Sequence, residues 1–276
     1  MGPADVDRVA ALSALVLLGS TVSCSEPSRA EPPHRAEPDG GAAPVRPSLA
    51  VEPPGALVHE ARERHRHDGE TYLLHRFRIP LDLVQIDVVD MEMRRDLGAV
   101  LEERRAALVI NGGYYGTDSR PEGLVIVGDR TLSPLLARIG GGVVTIARGR
   151  AEQRAAADFR PAPGIELAIQ CSPALVVRGG AAIARHGEQT ASRTALCIRD
   201  GGRGLDVYVA NVEPSRGRAG PTLYTFSREL QAEGCEEALN LDGGPSSGFA
   251  WRGPQGVITE PPRRGIRHAV VFTIAD

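Results

Sequence analysis

After residue 70 the chain sustains no long apolar stretch, because its runs of Val, Ile, Leu and Phe are cut repeatedly by Gly, Pro and Asp. A sequence punctuated in this way builds short strands joined by turns and leaves room for few helices. Tyr72 to Ile79 and Leu83 to Val89 alternate with period two on either side of Pro80, which predicts two half-buried strands. Met93, Leu97, Val100 and Leu101 then recur at helical spacing behind Asp90, predicting an amphipathic helix capped by Asp90 that ends near Arg105. Ala106 to Ile110 is wholly apolar and reads as a strand buried on both faces. Short strand signals follow at Gly123 to Val127, Gly142 to Ala147, Glu166 to Ile169, Ala174 to Val177, Thr194 to Ile198 and Leu205 to Asn211. A second helix is predicted from Thr222 to Glu233, with Leu223, Phe226 and Leu230 on one face and Gly234 as its stop. Strands at Ala238 to Leu241, Gly248 to Trp251 and His268 to Ile274 close the chain. The pattern predicts an α/β (α+β) fold: a single domain with a largely mixed β-sheet core and few flanking helices.

The amino-terminal region reads differently. The apolar run from Val9 to Val22 is too short to span a membrane but suits a secretory h-region. Small residues lead into Cys24, so residues 1 to 24 are expected to be a signal peptide of lipoprotein type, with Cys24 lipidated. Residues 25 to 54 hold eight prolines and little that can be buried, as in a disordered tether. What remains, 55 to 276, has the size of one domain of about 220 residues. The expected setting is extracytoplasmic, either secreted or anchored to a bacterial membrane through lipid.

Composition removes several chemistries. All 32 basic residues are Arg, so there is no lysine to form a Schiff base, serve a P-loop or act as a general base. A net charge of -3 gives no basic surface for nucleic acid, which is not an expected partner. Beyond Cys24, the cysteines Cys171, Cys197 and Cys235 are odd in number and show no zinc-binding spacing. They suit either one disulfide or buried free thiols. His65 and His67 lie in an Arg-rich stretch next to the tether, and His186 and His268 have no second ligand at metal-binding spacing, so neither metal nor cofactor is expected. Asp242 with Asn240 is only weak evidence for a divalent cation. Ser246 lies in no nucleophile elbow, which argues against a serine esterase.

Two segments share one design: Ile110-Asn111-Gly112-Gly113 and Leu241-Asp242-Gly243-Gly244 each run an apolar strand into a polar residue and paired glycines. Either alone reads as an ordinary Asx turn. Together they place a hydrogen-bonding side chain at a strand end where a ligand can approach the backbone.

The chain resembles the phosphodiester glycosidase family. The resemblance rests on Val109 to Tyr115 with Pro121-Glu122-Gly123-Leu124, on Gln170 to Val176, on Ser192-Arg193-Thr194-Ala195, and on Ala238 to Ser247 behind a helix opened by Thr222-Leu223. It extends from about residue 70 to the carboxyl terminus, with departures at Pro245, Tyr115 and Ala174. It implies a hydrolase that cleaves a sugar 1-phosphate linkage, with a glycan or glycosyl phosphodiester as its partner. Such a substrate carries a leaving group already stable as an anion, so one ionised carboxylate suffices. Asp242 is the candidate, whether it stabilises the oxocarbenium-like centre, attacks it or activates water. Arg193 is expected to clamp phosphate in bidentate fashion, and Glu122 is a second carboxylate that would serve as general acid. The resemblance extends the binding set to Asn111, Tyr115, Ser172, Thr194, Asn240, Ser246 and Ser247, with the amides of Gly112, Gly113, Gly243 and Gly244 offered to the ligand. The alternative is a non-catalytic envelope lipoprotein that binds glycans through the same residues.

Overall fold

The apolar runs do become strands. The computed structural model describes residues 57–65, 70–128, 130–187, 189–212 and 219–275; Cys24, His67, the expected leader and the proline-rich segment lie outside them. Strands β1 (Val58–His65), β2 (Thr71–Ile79) and β3 (Val84–Asp90) lead into helix α1 (Leu97–Glu103) and β4 (Leu108–Asn111). The short β5 (Tyr114–Tyr115) and β6 (Pro121–Glu122) are followed by β7 (Val125–Val127), β8 (Arg130–Ser133), β9 (Gly142–Ala147), β10 (Arg150–Ala155) and β11 (Leu167–Cys171). Next come β12 (Ala174–Val177), β13 (Gly180–Ala181), β14 (Arg193–Arg199), β15 (Gly204–Asn211) and helix α2 (Leu223–Ala232). The last four strands are β16 (Glu237–Asn240), β17 (Phe249–Gly253), β18 (Gly256–Glu260) and β19 (His268–Ile274).

These strands form a seven-stranded sheet, β1-β2-β15-β14-β16-β12-β13, two five-stranded sheets, β10-β9-β11-β7-β8 and β18-β17-β4-β19-β3, and the ribbon β5-β6. The sheet-rich, helix-poor single domain is as expected, but the strand directions are simpler than the mixed arrangement predicted. Every pairing among the described residues is antiparallel. Parallel neighbours need long crossovers, usually helical, and this chain has only two α-helices among its described residues.

The three larger sheets share one core. Phe77, Leu196, Ile198 and Leu239 from the first, Val144, Ile146 and Ile169 from the second, and Leu108, Ile110 and Phe272 from the third pack in one cluster. The opposite faces are covered too. Ala195, Cys197 and Tyr208 pack under Phe226 and Leu230 of α2, and Val109 and Val271 pack under Leu97, Val100 and Leu101 of α1. Being buried on both faces is why β4 and β14 read as continuous apolar runs rather than alternating ones.

Helix α1 begins later than its periodicity suggested. Asp96, not Asp90, caps it by accepting from the Ala99 amide at 2.9 Å. Glu92 and Met93 have φ of 47° and 65°, which no helix tolerates, and Met91 supplies the buried side chain in place of Met93. Helix α2 matches its prediction, with the Thr222 side chain accepting from the Thr225 amide and Gly234 at φ 87° ending it.

The Arg-rich stretch before residue 66 is edge strand β1. Arg64 pairs with Glu229 at 2.8 Å and with Glu233 at 2.5 Å, so its charges dock on α2 and its cap as well as face water. Cys197 and Cys235 form a disulfide that ties β14 to the turn after α2, while Cys171 is free and buried.

Candidate active site

The ends of β4 and β16 belong to different sheets, and Asn111 locks them together. Its Nδ2 donates to the carbonyls of Asp242 at 2.8 Å and Gly112 at 3.3 Å. Its Oδ1 accepts from the Thr194 hydroxyl at 2.8 Å and the Gly248 amide at 3.2 Å. The Asp242 amide completes the clamp by donating to the Gly112 carbonyl at 3.2 Å. Asn111 and Thr194 have no exposed surface, so both act as struts of the site, not as the ligand contacts the sequence suggested.

Asp242 lies two residues beyond the end of β16 and is half-buried. Its Oδ1 accepts from the Gly243 amide at 2.9 Å, and its carboxylate also accepts from the Ser246 hydroxyl. Burial raises its pKa above the ordinary aspartate value; the Ser246 and Gly243 bonds and the charge of Arg264 oppose that rise. The Arg264 amide is held by the Pro245 carbonyl at 3.0 Å, and a cavity of about 410 Å³ opens along the same loop, lined by Arg263, Pro262, Thr259 and Arg95 among others.

Arg193, at the start of β14, is 8% exposed. Its Nε donates to the Pro221 carbonyl at 3.3 Å and its Nη2 to the Gln189 carbonyl at 3.0 Å. Its Nη1 lies 3.9 Å from the point where a Cβ on Gly243 would stand, which sets it against the residue that follows Asp242. Nε and Nη2 thus already serve backbone carbonyls, which engages the side-on fork the sequence suggested. Burial lowers the pKa of this guanidinium, and the neighbouring Tyr114 and Glu70 counter that shift.

The sequence profile of the phosphodiester glycosidase family matches residues 104–273, a stretch that contains this whole cluster. The chain belongs to that family. Among solved structures, it is similar to the catalytic domain of zebrafish N-acetylglucosamine-1-phosphodiester alpha-N-acetylglucosaminidase, described as auto-inhibited by its pro-peptide. That match has a TM-score of 0.61 at 16% identity and covers 82% of this chain and 85% of that one. It is also similar to a hypothetical protein from Synechocystis, with a TM-score of 0.56 at 15% identity over 79% of this chain and 62% of that one. A search of curated proteins by sequence found no match.

Within this phosphodiester glycosidase domain the glycine pairs play other parts than expected. The Gly112 amide donates to the His268 carbonyl at 3.0 Å, the Gly113 amide to His268 Nε2 at 2.9 Å and the Gly244 amide to the Ser192 carbonyl at 2.7 Å. With the Gly243 amide on Asp242, all four are engaged by the protein rather than offered to a ligand. Gly112 is required by close packing, since a Cβ there would stand 2.3 Å from His268 Cδ2. Gly244 stands at φ 59°, a left-handed conformation that favours glycine.

Glu122 stays outside the cluster: Arg138, itself largely exposed, holds its half-buried carboxylate at 2.6 Å. The Tyr115 hydroxyl donates to the Gly265 carbonyl at 2.9 Å and so braces the loop of Arg264. Asn240 donates to the carbonyls of Leu241 at 2.7 Å and Ser172 at 3.3 Å, and that Ser172 carbonyl also accepts from the Tyr114 hydroxyl. Ser247 is buried, with no partner for its hydroxyl among the described residues.

Sequence reasoning passed over Tyr114, Arg264 and His268. Burial, then the adjacent Cys171, push the Tyr114 phenol up to about 12, and Asp242 adds to the shift. Burial also pushes up the Cys171 thiol, which leaves it inert as a nucleophile. Among the described residues no group of three or more His, Cys, Asp or Glu is placed to hold a metal ion.

Proposed function

We propose that this chain hydrolyses a glycosyl phosphodiester, with Asp242 at the anomeric centre or as general base and Arg193 Nη1 on the phosphate. The observation that carries the reading is a half-buried carboxylate, Asp242, whose neighbour Gly243 packs against Nη1 of the buried Arg193 guanidinium, an atom with no hydrogen-bond partner among the described residues. The guanidinium already has the Glu70 carboxylate nearby, and a phosphodiester would bring a second anion to its Nη1 end, next to the bond to be cleaved. As the sugar–oxygen bond lengthens, the anomeric carbon gains positive charge facing Asp242, and the departing phosphate gains negative charge facing Arg193. Both contacts strengthen in the transition state, which is what accelerates the step. The phosphate leaves as a stable anion, so the site needs no second carboxylate to protonate it, and Glu122 has no part in the mechanism. Membership in the phosphodiester glycosidase family supports the reaction class.

Asp242→Asn tests it. The substitution keeps size and hydrogen-bonding reach but removes the charge, so kcat on a chromogenic sugar 1-phosphodiester should fall on the order of a hundredfold or more. Calorimetric binding of the sugar 1-phosphate should persist. A wild-type chain that binds sugar phosphate yet turns over no activated diester would rule out the hydrolase and leave a glycan-binding protein.

The reading includes a place outside the cytoplasm. The Cys197–Cys235 disulfide supports it, because such bonds persist in oxidising compartments. Cys24 would then be the acylated first residue of the mature protein, anchoring it to the membrane. Mass spectrometry of the mature chain should find the acyl chains on Cys24, and an unmodified Met1 would contradict the anchor.

A further inference from the structure

The cavity of about 410 Å³ lies between the start of helix α1 and the loop from β18 to β19, and two of its lining residues, Arg95 and Arg263, are exposed arginines. Residues 92 to 98 and 261 to 265 together carry four arginines, Arg94, Arg95, Arg263 and Arg264, against two carboxylates, Glu92 and Asp96. Asp96 is engaged as the helix cap, its Oδ1 accepting from the Ala99 amide. Among the described residues no carboxylate lies within ion-pair distance of any of the four arginines, whereas nearby Arg252 pairs with Glu102 and Arg267 with Asp90. A chain of net charge -3 thus gathers positive charge around an open cavity.

The loop that presents this charge is braced. The Ile266 amide donates to the Arg94 carbonyl at 3.1 Å, and Arg95 Nη1 donates to the Arg263 carbonyl at 3.2 Å. Gly265 lies so close to Met93 that a Cβ on it would stand 2.0 Å from the Met93 carbonyl oxygen. The same loop joins the cavity to the candidate active site. Arg263 lines the cavity, while the charge of the next residue, Arg264, acts on Asp242. Pro262, also in the cavity lining, packs on Gly248, whose amide Asn111 holds. A charged site held in place before its ligand arrives loses little freedom on binding.

We propose that this cavity seats a second phosphate of the substrate, so that the chain acts on oligomeric or polymeric glycosyl phosphates in preference to isolated diesters. The inference rests on the hydrolase reading of Asp242 and Arg193 and adds the class of substrate. Phosphate suits the lining because guanidinium groups match its several oxygens with charge-assisted hydrogen bonds. In a glycosyl phosphate polymer the anion recurs at every repeat. A strand held by one linkage at Asp242 therefore brings the neighbouring phosphate to the loop that carries Arg263 and Arg264.

The test has a binding arm and a kinetic arm, both on the full chain. Inorganic tripolyphosphate, which needs no sugar, should shift the backbone amides of Gly98, Thr259 and Arg263 saturably in NMR spectra. Arg95→Gln combined with Arg263→Gln should weaken that binding about tenfold. For kinetics, the chromogenic sugar 1-phosphodiester is compared with the same diester carrying one more phosphate, on its leaving group or on its sugar. One of the two doubly charged forms should show kcat/KM about tenfold higher, an advantage that shrinks as salt rises from about 0.05 to 0.5 M and disappears in the double variant. No saturable shift, or a shift the double variant leaves unchanged, would overturn the cavity as an anion site. Turnover of the plain diester with no gain from either added phosphate would overturn the proposal and leave the hydrolase standing. Equally, a chain that sediments with phosphatidylglycerol vesicles through these two arginines and gains nothing from the added phosphate would make the cavity a lipid contact instead. Failure to turn over any of the diesters, with the tripolyphosphate shift intact, would overturn the hydrolase reading and the substrate class with it, leaving only the anion site.

Discussion

Asn111→Ala tests how the site is held, and its effect can be worked out bond by bond. The side chain makes four hydrogen bonds: to the Asp242 and Gly112 carbonyls, and from the Thr194 hydroxyl and the Gly248 amide. Alanine fills none of these roles. The Gly112 carbonyl keeps its bond from the Asp242 amide, and the Thr194 hydroxyl can rotate toward another acceptor. The Asp242 carbonyl and the Gly248 amide lose these bonds in an enclosed site. Each buried orphan costs about 1–3 kcal/mol, so the expected loss of stability is about 2–6 kcal/mol, with about 4 kcal/mol as the central figure. That is a large share of the roughly 5–15 kcal/mol that holds an ordinary domain together. Urea denaturation, followed by circular dichroism, should show the midpoint falling with the slope unchanged. Thr194→Val alone should cost about 1 kcal/mol. The double variant should lose less than the sum of the two, because the Thr194–Asn111 bond is then removed only once. A loss below about 1 kcal/mol for Asn111→Ala would refute the strut assignment, since the carbonyl and amide would then have found other partners.

Two further predictions concern the chemistry. In the proposed mechanism Arg193→Ala would remove the phosphate contact while leaving Asp242 in place, so steady-state kinetics should show KM rising, with kcat falling as well because that contact would strengthen as the phosphate departs. Unchanged KM would remove Arg193 from the site. Asp242 must be ionised to act, and its pKa is raised by burial, so activity should fall on the acid side at a higher pH than an ordinary aspartate would give. Ser246→Ala deletes a hydrogen bond that favours the ionised form, so the acid limb of the pH–rate profile should move further up; a shift downward would contradict the assigned bond.

The site was legible where chemistry and chain order coincide and illegible where side-chain direction decides. Asn111, Arg193 and Asp242 are distant in sequence yet come together, because Asn111 ends β4, Asp242 lies just beyond the end of β16, and Arg193 begins β14 in the same sheet as β16. Their division of labour could not be read. Asn111 looks like a ligand contact in sequence, and only its complete burial makes it a strut. Adjacent Tyr114 and Tyr115 lie on a two-residue strand, where successive side chains point to opposite faces. Pattern alone cannot say which faces Asp242, and the structure assigns Tyr114. Glu122 had the chemistry of an acid, but Arg138, sixteen residues later, holds it at the surface.

By itself the sequence determined the strands built on buried apolar runs but not β1, β5, β6, β8, β10, β13 or β18, and it determined helix α2 with both of its ends, the lack of any lysine mechanism and the family. These follow from local rules: turn residues interrupt the chain, burial sets the apolar period, and motifs keep their spacing. Only the tertiary structure decided that all described strands pair antiparallel, that β1 is an edge strand despite its charge, that Cys197 pairs with Cys235, and that the glycine amides serve the protein. The reason is common to all four: each depends on which distant segment lies next to a group, and that is set by the packing of three sheets around one core.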